Sequence, residues 1–184
     1  MAPPTRTPPS AWIEEGLRAL ASGGPEAVRV EVLARALGVT KGGFYRHFDD
    51  RPALLDEMLD AWEQLGVDRV IDAVDDGGGD ARARLRRLFE VTSTTGEVWS
   101  IELAVREWAR RDSAVAARLK RVDNRRMDYL RSLFGEFCAD PDEVEVRCLM
   151  VYSLFIGARS LAADHGGRRR AELVTLAQDR LLAP

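Results

Sequence analysis

From Ser10 onward, apolar residues recur at intervals of three and four, and no stretch alternates with period two for long. That spacing places apolar side chains on one face of a helix and leaves a half-buried strand without its pattern. The chain is therefore expected to be all-α, with about nine helices. Glycine-rich breaks separate the periodic segments, at Ser22-Gly23-Gly24-Pro25, at Gly38, at Asp75-Asp76-Gly77-Gly78-Gly79-Asp80 and at Asp164-His165-Gly166-Gly167.

Composition narrows the class. With 184 residues, 46% of them hydrophobic and 31% charged, the chain can bury a sizeable core and is not disordered. Its formal charge of −3 excludes a uniformly basic coat, although a local basic surface is allowed. The longest dense apolar run, 148–158, is shorter than the roughly 18 residues of a membrane span, so no membrane partner is expected. Two cysteines, Cys138 and Cys148, make no disulfide framework and fit a reducing compartment. The first residues carry no apolar signal core, and a cytoplasmic location is expected.

Local signals place the helices. Residues 1–9, with four prolines and Arg6, are expected to be a flexible arm. Ser10 is the expected N-cap of a first helix that turns Ile13, Leu17 and Leu20 inward. A short second helix runs over 30–37, and a third, capped by Thr40, over 41–47. Asp49 or Asp50 caps a long fourth helix, with Pro52 in its first turn and Leu55, Met58, Leu59 and Trp62 along its stripe. Asp80 caps the next, and Ser113 starts a long one. Asp140-Pro141-Asp142-Glu143 resembles a capping box, opening a helix that is apolar nearly all round at 148–158. A last helix carries Leu173, Leu176, Ala177, Leu181 and Leu182.

The chemistry concentrates in residues 30–48. A short helix, a turn at Gly38 and a second short helix make a helix-turn-helix, whose second helix enters the major groove N-terminus first. Ala34 is small where the two helices cross, and Val39 is the expected plug beneath the turn. Lys41 leads the second helix. Gly42 and Gly43 weaken it by about 1 kcal/mol each relative to alanine, so their expected use is close approach of backbone to DNA. Thr40, Tyr45, Arg46 and His47 offer hydrogen-bond donors to phosphate, while Phe44 and Phe48 are expected to face inward. Arg29 and Arg51 flank the motif as further phosphate ligands.

The run Leu33-Ala34-Arg35-Ala36-Leu37-Gly38-Val39-Thr40-Lys41-Gly42-Gly43-Phe44-Tyr45-Arg46-His47-Phe48, followed by Asp50-Arg51-Pro52-Ala53-Leu54-Leu55, resembles the DNA-binding domain of the TetR/AcrR family of bacterial transcriptional regulators. Arg29 stands where that family often has a serine or threonine cap, and Arg51 where a lysine is usual. The resemblance implies a nine-helix protomer and a homodimer on a near-palindromic DNA operator, usually as a repressor. It also implies a small-molecule effector held in the C-terminal bundle. The expected organisation is an arm over 1–9, an N-terminal three-helix DNA-binding domain over 10–51, and a C-terminal helical bundle over 52–184 for ligand binding and dimerisation.

Within 52–184, Trp62, Phe89, Trp99, Trp108, Met127, Tyr129, Phe134, Tyr152 and Phe155 are the candidate lining for a largely apolar ligand. Leu149, Tyr152, Ile156, Leu173, Leu176 and Leu181 are the candidate dimer interface, because an all-round apolar helix needs two burial partners. His47 and His165 lie far apart, so no metal-ligand spacing appears, and no cofactor motif or nucleophile motif is present. An enzyme is therefore not expected. A different class stays open: a helical small-molecule carrier or sequestering protein with a vestigial DNA module, to which the weakness of the basic excess over 1–51 and the presence of Arg29 give slight support.

Overall fold

The computed structural model describes residues 7–93 and 96–183. Most of the expected arm lies outside these residues, Arg6 included. The chain forms α1 (Pro9–Gly23), a 3-10 turn (Pro25–Ala27), α2 (Val30–Ala36), α3 (Lys41–Phe44), α4 (Arg51–Glu63), a π turn (Gln64–Asp68) and α5 (Arg69–Asp75). It continues with α6 (Ala81–Ser93), α7 (Gly96–Ala109), α8 (Ser113–Phe134), α9 (Pro141–Ser160) and α10 (Arg170–Leu181). The backbone stays right-handed helical at Glu63, Gln64 and Arg69, so α4, the π turn and α5 make one continuous rod. Counted so, the described residues form nine α-helical rods and no strand, in agreement with the periodicity.

Most helix starts follow their local chemistry. Asp50 accepts from Ala53 N at 2.8 Å, Asp80 from Ala83 N at 2.8 Å, and Asp140 from Asp142 N at 2.9 Å. Each carboxylate satisfies a donor that the first helical turn leaves open. Two expectations need correction. Ser10 is not the first cap: α1 starts at Pro9 after an extended Pro8, since a proline loses nothing at a position whose N–H is unpaired anyway. Helix α8 starts at Ser113 as expected, with Asp112 before it taking both Ala114 N and Val115 N. Glu143 closes no capping box but reaches forward to Arg147 at 2.6 Å.

Packing divides the chain into two compact units. The first holds α1 to α4, the π turn, α7 and the start of α8. Its fully buried side chains include Trp12, Leu20, Leu33, Phe44, Leu54, Met58 and Trp62. Here α1 packs on both α4 and α7. Gly16 marks the crossing with α4, where a Cβ would stand 2.5 Å from the buried Met58 sulfur. Arg118 on α8 pairs with Asp60 and Glu63 on α4.

The second unit holds α5, α6, the rest of α8, α9 and α10. Leu85, Phe89, Leu130, Leu133, Phe134, Val144, Cys148, Val151 and Leu182 form its core. The arginines of α6 are committed to their own unit: Arg84 pairs with Glu136, and Arg87 gathers the carbonyls of Val74, Gly77 and Gly78. Helix α9 is two-sided rather than uniformly buried. Val144, Cys148 and Val151 face the core, whereas Val146, Leu149 and Met150 are exposed. Both cysteines are free thiols, and burial pushes the Cys148 thiol up to about 11.

Candidate nucleic-acid interface

The motif over 30–48 is assembled by a few local bonds. Leu37 N reaches Leu33 O at 2.9 Å and closes α2. Gly38 then takes φ +67°, a conformation that favours glycine, and lets Val39 N return to Ala34 O at 2.9 Å. Val39 is half-buried beneath this turn. Thr40 is extended and caps α3 by backbone position alone, leaving its exposed hydroxyl with no cap bond. Arg29 holds the equivalent place before α2, also without a side-chain cap.

Helix α3 is shorter than the expected 41–47, ending at Phe44, with turn bonds from His47 N and Phe48 N to Phe44 O. Two glycines in its first three positions explain the short run. Its orientation comes from aromatic packing. Phe44 is fully buried, edge-on to Trp12 at 5.4 Å and stacked on Phe48 at 5.2 Å. Opposite these anchors, Lys41, Gly42, Tyr45 and Arg46 are exposed, with Tyr45 at 61%.

The glycines of α3 serve no internal need. A Cβ on Gly42 would meet only Thr40 Oγ1 at 3.7 Å, one on Gly43 only Trp12 Cζ2 at 3.7 Å, and neither residue has positive φ. Gly42→Ala is thus expected to stabilise the fold by up to about 1 kcal/mol while weakening DNA binding. A thermal melt and a mobility-shift titration on one preparation check both signs. Tighter DNA binding by the variant would refute the close-approach role.

Three further candidates are engaged within the chain. His47 is half-buried with Nε2 3.0 Å from Thr7 O. The Arg51 guanidinium bonds Val28 O through Nε at 2.6 Å and also reaches Pro25 O. It thereby ties the first turn of α4 to the 3-10 turn. Lys41 Nζ lies 2.5 Å from Glu31 Oε1.

The candidate ligand lining falls in both units. In the first, Trp62 is buried and donates from Nε1 to Glu102 Oε2 at 3.0 Å. Glu102 is the single buried charged residue among those described, and Arg106 Nε donates to its other oxygen at 2.8 Å. Trp108 borders a cleft of about 690 Å³ between the end of α1 and the Ser100, Leu103, Ala104 and Glu107 face of α7. Trp99 is half-buried.

In the second unit, Phe89 and Phe134 belong to the core, with Met127 packed against it. Tyr129 donates to Asp75 at 2.7 Å, and burial, then this bond, raises its hydroxyl pKa. Tyr152 donates to Asp123 at 2.5 Å and accepts from Arg126 at 3.3 Å. Phe155 lies under the Arg159 guanidinium. Of the candidate interface residues, Leu149 (62%) and Leu176 (38%) are exposed, while Tyr152, Ile156, Leu173 and Leu181 are half-buried on the adjacent α9 and α10. Trp12, Glu31 and Gly16 escaped the sequence reading, because their partners Phe44, Lys41 and Met58 lie beyond any helical spacing.

An all-helical chain with an anchored helix-turn-helix near its N-terminus has the build of a DNA-binding regulator. Residues 13–58 match the family model of bacterial regulatory proteins of the tetR family. This N-terminal segment is thus similar to the DNA-binding domain of that family, and the helical fold around it agrees. A transcriptional regulator from Saccharomonospora viridis, solved in complex with choline, superposes with a TM-score of 0.75 at 19% identity, over 93% of each chain. A TetR-family regulator from Rhodococcus sp. gives 0.64 at 23% identity, over 95% of this chain and 94% of the other. AibR, solved with isovaleryl coenzyme A and operator DNA, gives 0.68 at 19%, over 96% and 98%. At these identities the likeness establishes the fold. No curated protein matches the sequence.

Proposed function

We propose that this protein is a cytoplasmic homodimeric repressor. It binds a near-palindromic operator through α3 and is released by a small, largely apolar molecule held within 52–184. The observation that carries the reading is the two-sided α3: Phe44 and Phe48 anchor it from below, while Lys41, Gly42, Tyr45 and Arg46 stand exposed with two glycines the fold does not require. Residues 10–51 then form the reading module. Thr40 and Arg29 supply phosphate contacts, and Gly43 keeps the approach open.

Dimerisation suits both the fold and the task. The exposed apolar side of α9, with Leu149 and Met150 beside Leu176 of α10, is covered by the same helices of a second copy. Two reading helices are thereby held about one DNA turn apart. Choline and isovaleryl coenzyme A, bound by two proteins of similar fold, are support for an effector here. Such a molecule releases DNA only by binding the DNA-free form more tightly.

The test is a mobility-shift assay with duplexes tiled across the region upstream of the protein's own gene. A specific duplex is expected to bind and to weaken steeply with salt. Lys41→Ala is expected to cost about 1–3 kcal/mol on that duplex, and Tyr45→Phe less, equally on every sequence. No shift on any tile at low salt and without ligand would overturn the reading in favour of a carrier.

A further inference from the structure

Glu31 and Lys41 lie ten residues apart, in the first turn of α2 and at the first position of α3. Their side chains meet across the turn with Nζ 2.5 Å from Oε1. Both are half-exposed, at 54% and 55%, so the pair is no part of the core. The two short helices are already held by Leu33, Ala34 and Phe44 beneath them. The hydrogen bond from Lys41, then that from its own backbone N–H, holds the Glu31 carboxyl below the usual carboxylate range, so Glu31 is ionised at neutral pH. Arg29 adds a weaker field in the same sense.

We propose that Glu31 restrains nonspecific DNA binding by occupying the Lys41 ammonium while holding it in place for a base edge. The inference rests on α3 being the reading helix. Nonspecific attachment comes from cations that neutralise phosphates and release their counterions. A lysine already neutralised by a carboxylate contributes little to that release. It must first give up one anion to gain another. A correctly placed base edge asks for less. The ammonium has three donors, and Glu31 uses one, so the others remain for acceptors on a guanine. The pair thus removes long-range attraction and keeps a directed contact, which favours discrimination over affinity.

The test is a double-mutant cycle on a short duplex of arbitrary sequence, with the full chain as wild type, Glu31→Gln, Lys41→Ala and the double variant. Glu31→Gln is expected to bind that duplex roughly three- to tenfold more tightly at low salt, with a log–log salt slope steeper by about 0.9 for each lysine set free. In the Lys41→Ala background the same change is expected to have no effect. Both side chains are exposed, and all four proteins are expected to melt alike. An equal gain in both backgrounds would overturn the proposal, since it would mean that the carboxylate merely repels phosphate. No gain from Glu31→Gln in a protein that does bind would overturn it too. If none of the four binds any duplex at low salt, the reading helix itself is refuted and this inference with it.

Discussion

Phe44→Ala is expected to cost about 3–5 kcal/mol of stability and to abolish DNA binding together. The ring is fully buried and touches Trp12, Tyr45 and Phe48 at centroid distances of 5.2–5.4 Å. Removing it leaves a cavity under a helix of four residues, two of them glycine. Such a helix has no stability of its own, because a single turn fixes many dihedrals for few hydrogen bonds. Without its anchor, α3 has no defined orientation from which Lys41 and Tyr45 can act. A thermal melt is expected to show the midpoint falling by roughly 10 °C, and a mobility-shift titration the loss of the complex. Phe44→Leu, which keeps most of the buried volume, is expected to retain binding. Full-strength binding by the alanine variant would mean that α3 is positioned by something other than this ring.

Glu102→Ala is expected to destabilise the chain by a comparable amount, about 3–5 kcal/mol. The carboxylate is 3% exposed and takes hydrogen bonds from Trp62 on α4 and Arg106 on its own helix. Deleting it removes a carboxylate partner of the Arg106 guanidinium and the hydrogen bond that joins the Trp62 indole to α7. Each hydrogen bond to a charged group that is lost in this buried setting costs about 1.5–3 kcal/mol, and two are lost here. Glu102→Gln, which keeps an acceptor oxygen for one partner, is expected to lose less. The comparison of the two melts carries the argument: equal losses would assign the effect to side-chain shape and not to the charge.

The helix-turn-helix was readable in advance because its determinants are local. Gly38, Asp50, Asp80 and Asp140 each act within a few residues of themselves, by a positive φ or a carboxylate facing a free N–H. Reading failed where two neighbours were equally competent. Pro9 and Ser10 can both open a helix, and the proline took the first position, leaving the Ser10 hydroxyl no cap to make. It failed also where the partner is distant. Trp62 and Glu102 are forty residues apart, and no periodicity joins them. The 148–158 stretch of α9 looks apolar nearly all round in sequence, although its residues divide between a core side, with Cys148 and Val151, and an exposed side, with Leu149 and Met150. Composition cannot separate those sides; only the neighbouring helices do.

The Arg51 fork has a mechanical consequence. One guanidinium fastens the opening turn of α4 to the carbonyls of Pro25 and Val28, and Val28 is fully buried just ahead of α2. A push on that end of α4 cannot swing it away from the preceding segment without tearing both bonds. Force is therefore handed on to α2, and through its packing on α3 to that helix, as if to a single casting. Under the proposed function, distances inside the module are expected to stay constant when an effector binds, with the whole block moving together.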